Sequence, residues 1–187
     1  MEECIARFVR HQIRKKRIKE SDIEVYEYGY RLFVERVCAI LMTVALAFVF
    51  DAWMEVLVFC IAFIPIRTYA GGYHAKGTVS CMVLSAVVLI INIFCGKWIL
   101  FTGYGDYLML LEVFLFPVIV WMTPVENINR RISESEKHFF EHIVKALYVI
   151  QILVGLLLLW LGRTEVIISL VLAHISVLGT LIAGQRK

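Results

Sequence analysis

The sequence lacks the features of a secreted, disulfide-bonded protein. Its five cysteines are odd in number and scattered, and three lie inside apolar runs, which is not the pattern of a disulfide framework. The N-terminus is highly charged and no short apolar core precedes a small-residue cleavage site, so we expect no cleavable signal peptide. The sequence shows no internal repeat and no linker, and its length of 187 residues allows one domain and several spans but no sizeable additional soluble domain.

Apolar residues, in contrast, are abundant. They make up 60% of the chain, whereas soluble domains contain about 45–50%. This excess predicts an all-α, polytopic integral membrane protein with about six transmembrane helices. The predicted spans are 37–50, 53–66, 79–95, 107–122, 143–161 and 166–183.

The start of the chain has a different character. Residues 1–20 carry apolar side chains at roughly helical spacing among Arg and Lys, which predicts an amphipathic helix on an anionic membrane surface. A solvated helix is the alternative. Ser21 and Glu24 form a capping box that indicates a new helix start. We therefore predict one transmembrane peptidase domain, 1–187, comprising the surface helix 1–20 and a membrane bundle 21–187.

The first two apolar runs are short for spans of about 20 residues. We predict a tight hairpin that turns near Asp51, with re-entrant segments as the alternative. Six spans place both termini on one side of the membrane. All but two of the 19 Lys and Arg residues then share that side, the exceptions being Lys97 and Arg163. The positive-inside rule predicts that both termini and the loops 67–77 and 123–142 are cytoplasmic.

The stretch 67–81, RTYAGGYHAKGTVSC, contains the residues suited to catalysis. A thiol attacks as the thiolate, and the His74 imidazole could take the proton of Cys81. Thr78 could N-cap the next helix and place Cys81 in its first turn, where the partial positive charge favours a thiolate. A His in a loop and a Cys at the start of a span are also common without catalysis.

Three further residues of this stretch could support that chemistry. Gly71 and Gly72 would let backbone N–H groups approach a substrate, as an oxyanion hole requires. Arg67 could stabilise an oxyanion or hold a substrate carboxylate.

The motif R-x-x-x-G-G-x-H-A-x-x-x-x-x-C, between the second and third spans, resembles that of the AgrB family (accessory gene regulator B). These are bacterial membrane peptidases that mature quorum-sensing peptides. Arg67, Gly71, Gly72, His74 and Cys81 stand where the family's motif has them, as does Ala75. Chain length, span number and the basic N-terminus are also similar. Residues 123–133 show a weaker similarity, and they depart from the family pattern near Arg131, where the family often has a Pro.

The resemblance implies a reaction. Cys81 would attack a peptide bond of a small AgrD-like precursor with His74 as general base, and the C-terminal tail would leave. A Cys or Ser side chain of the peptide would then attack the thioester and close a thiolactone or lactone ring. A homodimer is a further implication of the resemblance, while no cofactor, metal or nucleic acid is implied.

Two alternatives come from other residues. His138, Glu141 and His142 match H-x-x-E-H, a zinc-protease pattern, although no third ligand is evident and a solvated juxtamembrane helix is the simpler interpretation. A membrane peptide transporter or a receptor is the other class. For Glu112, Gln151 and His174, which are polar residues inside predicted spans, we favour bonding between helices.

Overall fold

The architecture is that of a multi-span helical protein. A computed structural model describes residues 7–8, 11, 22–73, 77–125 and 133–185. Its helices are α1 (Ile23–Val49), α2 (Trp53–Ala70), α3 (Thr78–Thr102), a 3₁₀ helix (Gly105–Leu111) that leads into α4 (Glu112–Met122), α5 (Glu134–Trp160) and α6 (Thr164–Gln185). Among the described residues, six segments are long and apolar enough to cross a membrane, with the 3₁₀ helix and α4 together forming the fourth. The predicted all-α, six-span fold class is confirmed.

Little of the N-terminal segment is described. Of residues 1–20 only Arg7, Phe8 and His11 are, so the amphipathic surface helix stays a prediction. Ser21 of the predicted capping box also lies outside the described residues. The helix that it was expected to start begins at Ile23.

The chain forms two compact units, Met1–Ala45 and Leu46–Lys187, whose boundary falls inside α1. In the first unit the ring of Phe8 meets that of Tyr30 edge to face, with centroids 5.0 Å apart. The second unit contains helices α2 to α6. The single domain 1–187 stays a prediction.

The turn near Asp51 was predicted from the end of an apolar run, and it is confirmed. The Ala52 N–H donates to the Ala47 carbonyl (N···O 2.9 Å), and the Asp51 N–H donates to Phe48 (3.4 Å). These two bonds form a Schellman motif, which ends a helix with one residue in the left-handed conformation. Asp51 takes that position with φ 46°, where glycine is usual.

Helix α6 lies at the centre of the second unit. It contacts α2, α3, the 3₁₀ helix, α4 and α5. Nine of its described residues are buried, more than in any other described helix: Ile167, Ile168, Ser169, Leu170, Val171, Ala173, His174, Val177 and Leu181. The other spans keep large apolar side chains exposed on their outer faces, as a helix facing lipid does.

A buried polar network joins α6 to its neighbours. Nδ1 of His174 lies 2.8 Å from Oε1 of Glu112 on α4, and Nε2 lies 2.7 Å from Oε1 of Gln151 on α5. The Tyr148 hydroxyl donates to the other Glu112 oxygen at 2.6 Å. Glu112, Tyr148 and His174 are at most 2% exposed. The predicted bonding between helices is confirmed for the three polar residues, while Tyr148 was not foreseen.

The geometry also fixes where the hydrogens lie. The Gln151 amide nitrogen donates to the Ala62 carbonyl at 3.3 Å, so its oxygen faces His174 and takes the Nε2 hydrogen. The Tyr148 hydroxyl uses its hydrogen on Glu112. One hydrogen therefore lies between Glu112 Oε1 and His174 Nδ1.

Candidate active site

The candidate site begins where α2 ends. Gly71 and Gly72 follow Ala70 with φ of 74° and 111°, a region that residues with a Cβ rarely adopt. Space is limited as well. A Cβ on Gly71 would stand 2.3 Å from the Val125 carbonyl oxygen, and one on Gly72 would stand 2.8 Å from that of Thr180. The two glycines are thus required by the backbone path, and the oxyanion role stays a prediction.

Hydrogen bonds hold this segment from two sides. The Val125 N–H, just after α4, donates to the Ala70 carbonyl at 2.9 Å, and Gly71 and Val125 form an isolated parallel bridge. The Tyr73 N–H donates to the Thr180 carbonyl of α6 at 2.9 Å. The loop after α2 is therefore attached to the ends of two other helices.

Arg67 organises the same loop. Its two terminal nitrogens donate to the carbonyl oxygens of Gly71 and Tyr73. Sequence reasoning expected an oxyanion or a substrate carboxylate as its partner, and that role stays a prediction. The observed contacts show that the guanidinium joins the last turn of α2 to the segment that leads toward His74.

Cys81 lies in the first turn of α3, as predicted. Its N–H donates to the Gly77 carbonyl at 3.0 Å, and the residue is exposed. The expectation that Thr78 caps the helix is wrong. Gly77 is the N-cap residue, with extended φ −143° and ψ 153°. The Ser80 hydroxyl accepts from the Gly77 N–H at 3.3 Å and donates to its carbonyl at 2.8 Å.

Arg67, in the last turn of α2, and Cys81, in the first turn of α3, are near enough for their side chains to interact electrostatically. The N–H groups of that first turn point toward the helix start. Arg67, Gly71, Gly72 and Cys81 thus belong to one region.

His74, the predicted base, lies outside the described residues together with Ala75 and Lys76. The contact between its imidazole and the Cys81 sulfur stays a prediction. Tyr73, the residue before it, is held at its N–H by Thr180 and at its carbonyl by Arg67. The point from which His74 extends is therefore tied to α2 and α6.

The residues of the zinc-protease pattern have other partners. The rings of His138 and His142 lie one turn apart on α5, with centroids 4.7 Å apart. The Glu141 carboxylate accepts from Lys145 at 2.6 Å. Within the ranges that the structure describes, no three His, Cys, Asp or Glu side chains are grouped to hold a metal ion.

Sequence reasoning missed the contacts of Val125, Thr180 and Gly184 with the loop. A Cβ on Gly184 would stand 2.8 Å from backbone atoms of both Gly72 and Tyr73. The sequence signal was Gly184 itself, because small residues often mark close packing of membrane helices. This signal does not indicate which segment the glycine contacts.

Comparison with known proteins places the chain in a family. A family model described as AgrB, Accessory gene regulator B, matches residues 2–183. AgrB-like proteins of Clostridium perfringens, one from strain 13 and one from strain SM101, are each 24% identical over 119 residues. The match covers 61% of this chain and 56% of each relative, so the chain spans about half the length of the curated relatives that it matches. No solved structure matches the chain.

Proposed function

Because the chain belongs to the AgrB (accessory gene regulator B) family, we propose that it is a membrane cysteine endopeptidase that matures a quorum-sensing peptide. Family membership supports a role in the agr quorum-sensing system. The proposed substrate is a small AgrD-like precursor, from which the enzyme removes the C-terminal tail before it closes a ring. The enzyme acts in the cell membrane, as a homodimer, with no cofactor.

The first step breaks one peptide bond. His74 takes the proton of the Cys81 thiol, and the sulfur attacks the carbonyl carbon of the precursor. The tetrahedral oxyanion is stabilised by Arg67 or by the N–H groups near Gly71 and Gly72. His74 then gives its proton to the leaving nitrogen, so the tail departs as an amine and an acyl-thioester to Cys81 remains.

The second step forms the ring. A Cys or Ser side chain of the bound peptide attacks the thioester carbonyl, its proton passes to the Cys81 sulfur, and the enzyme is regenerated. The product is a thiolactone or a lactone. The internal nucleophile is already held next to the thioester, which gives it a high effective concentration relative to water.

One observation carries the proposal. Cys81 is an exposed cysteine in the first turn of α3, seven residues after His74 in the chain. A buried structural cysteine would not be accessible to a peptide substrate.

The proposal includes an orientation. Both termini and the catalytic loop face the cytoplasm, because this arrangement leaves only Lys97 and Arg163 of the Lys and Arg residues on the other side. A precursor made in the cytoplasm would then reach Cys81 without crossing the membrane.

The test is to co-express the chain with candidate short peptides and to follow the peptides by mass spectrometry. We expect the wild type to remove the tail, and both Cys81→Ala and His74→Ala to abolish tail loss and the acyl-enzyme. Processing that survived Cys81→Ala would refute the proposal.

Cys95 provides the matched control. It is the other exposed cysteine of α3, fourteen residues further along the same helix. Cys95→Ala makes the same chemical change away from the loop, so it should process the peptide at the wild-type rate.

A further inference from the structure

The end of α6 lies directly against the loop that precedes His74. A Cβ on Gly72 would stand 2.8 Å from the Thr180 carbonyl oxygen, and one on Gly184 would stand 2.8 Å from Gly72 Cα and from Tyr73 N. Real side chains essentially never approach so closely. The two segments can pack at this distance only because both positions are glycine.

A hydrogen bond accompanies this packing. The Tyr73 N–H donates to the Thr180 carbonyl at 2.9 Å. A carbonyl has two lone pairs, so Thr180 can accept this bond without leaving the helix. Since the donor and the acceptor are both main-chain groups, the bond fixes the position of the backbone.

The opposite end of Tyr73 is held by α2. Its carbonyl oxygen accepts from Arg67, whose other terminal nitrogen bonds to Gly71. The residue before His74 is thus fixed at its N–H by α6 and at its carbonyl by α2. Only two bonds separate that carbonyl carbon from the Cα of His74, so a shift of Tyr73 shifts the origin of the His74 side chain.

We infer that Gly184 is a positioning residue for the reaction proposed above, on which this inference rests. Its missing side chain lets the last turn of α6 lie against Gly72 and Tyr73. We expect a shift of Tyr73 to carry over to His74, which follows it in the chain. The last helix of the bundle thereby takes part in the geometry of a site whose residues extend from the last turn of α2 to the first turn of α3.

The expected effect follows from the distances. A new Cβ at 2.8 Å must move to about 3.4 Å for ordinary contact, a displacement of roughly half an ångström. A misplacement of about 1 Å costs about 100-fold in rate, so half of it should cost on the order of tenfold.

The test compares Gly184→Ala with Gly179→Ala. Both glycines are on α6, and a Cβ added at Gly179 would meet no described atom within 4 Å. Both changes raise helix propensity alike. We expect Gly179→Ala to process precursor at the wild-type rate, and Gly184→Ala to lower kcat about tenfold with little change in KM.

A second measurement needs no precursor and separates positioning from general loosening. The rate at which iodoacetamide alkylates Cys81 is followed against pH by mass spectrometry. In the wild type the profile should show the titration of His74, and His74→Ala should remove that step. Gly184→Ala should move the profile toward that of His74→Ala, and Gly179→Ala should leave it unchanged.

The outcomes are separable. If the wild type needs Cys81 but Gly184→Ala matches Gly179→Ala in kcat and in the alkylation profile, the inference is overturned and the proposed function stands. If Cys81→Ala still processes precursor, the proposed function itself fails. If Gly184→Ala does not fold, a chain ended at Ala183 replaces it, and a wild-type rate and profile in that chain would overturn the inference.

Discussion

Replacing Glu112 tests the hydrogen positions assigned to the buried network. In Glu112→Gln the amide oxygen can accept from Tyr148, and the amide nitrogen can donate to Nδ1 of a neutral His174 whose Nε2–H still reaches Gln151. Every bond of the network keeps a partner, but the second hydrogen of the buried amide nitrogen has none. We therefore expect Glu112→Gln to lower the free energy of unfolding by about 1–3 kcal/mol, the cost of one stranded group.

Glu112→Leu has a similar size but no polar atoms. It leaves the Tyr148 hydroxyl and His174 Nδ1 without their partner, in a region where both residues are fully buried. Each stranded group costs about 1–3 kcal/mol, so the variant should lose about 2–6 kcal/mol. The lower half of that range is expected, because helix-to-helix bonds in membranes are worth only about 0.6 kcal/mol on average.

Unfolding by SDS in mixed detergent micelles measures these differences. Adding Tyr148→Phe to Glu112→Leu removes one stranded hydroxyl, so the double variant should recover about 1–3 kcal/mol. Equal destabilisation by Glu112→Gln and Glu112→Leu would refute the reasoning. It would show that the free energy of unfolding depends on the carboxyl group of Glu112 itself and not on the number of hydrogen bonds kept.

Two further predictions concern topology and the first turn. The 25 residues of α3 span about 37 Å, so its two ends should lie on opposite sides of the membrane. A cysteine introduced by Tyr104→Cys on a Cys81→Ala background should react with a membrane-impermeant maleimide only in right-side-out vesicles. The native Cys81 should react only in inside-out vesicles. Reversed labelling would contradict the orientation. Asp51→Gly should raise the free energy of unfolding by about 1 kcal/mol, because it relieves the left-handed backbone that Asp51 adopts, and an unchanged SDS midpoint would count against that strain.

The helices could be predicted from the sequence, because every span must be apolar and long enough to cross the lipid. Hydropathy alone therefore located all six. Turns were visible where the apolar runs stop, as at Asp51. The 3₁₀ helix that opens the fourth span was not visible, because the predicted apolar run 107–122 crosses the boundary between it and the α-helix that follows.

The candidate site was predictable only in part. Cys81 was placed in the first turn of α3 from local spacing, but the cap was assigned to Thr78, because a Ser, Thr, Asp or Asn is the commoner N-cap and Gly77 is less so. The contacts of the loop with Val125, Thr180 and Gly184 could not be predicted from the sequence. They depend on which helix ends meet in space, and an apolar helix in lipid has no polar stripe that would distinguish its inner face.

The central place of α6 bears on how the protein is made. The ribosome produces this helix after the other five, so the spans that enter the membrane first must wait there without the partner that buries their inner faces. During that interval Glu112 and Tyr148 face lipid or each other, since His174 has not yet been synthesised. A chain stalled before α6 would therefore present unpaired polar groups inside the bilayer, a feature by which quality-control proteases could distinguish unfinished copies from finished ones.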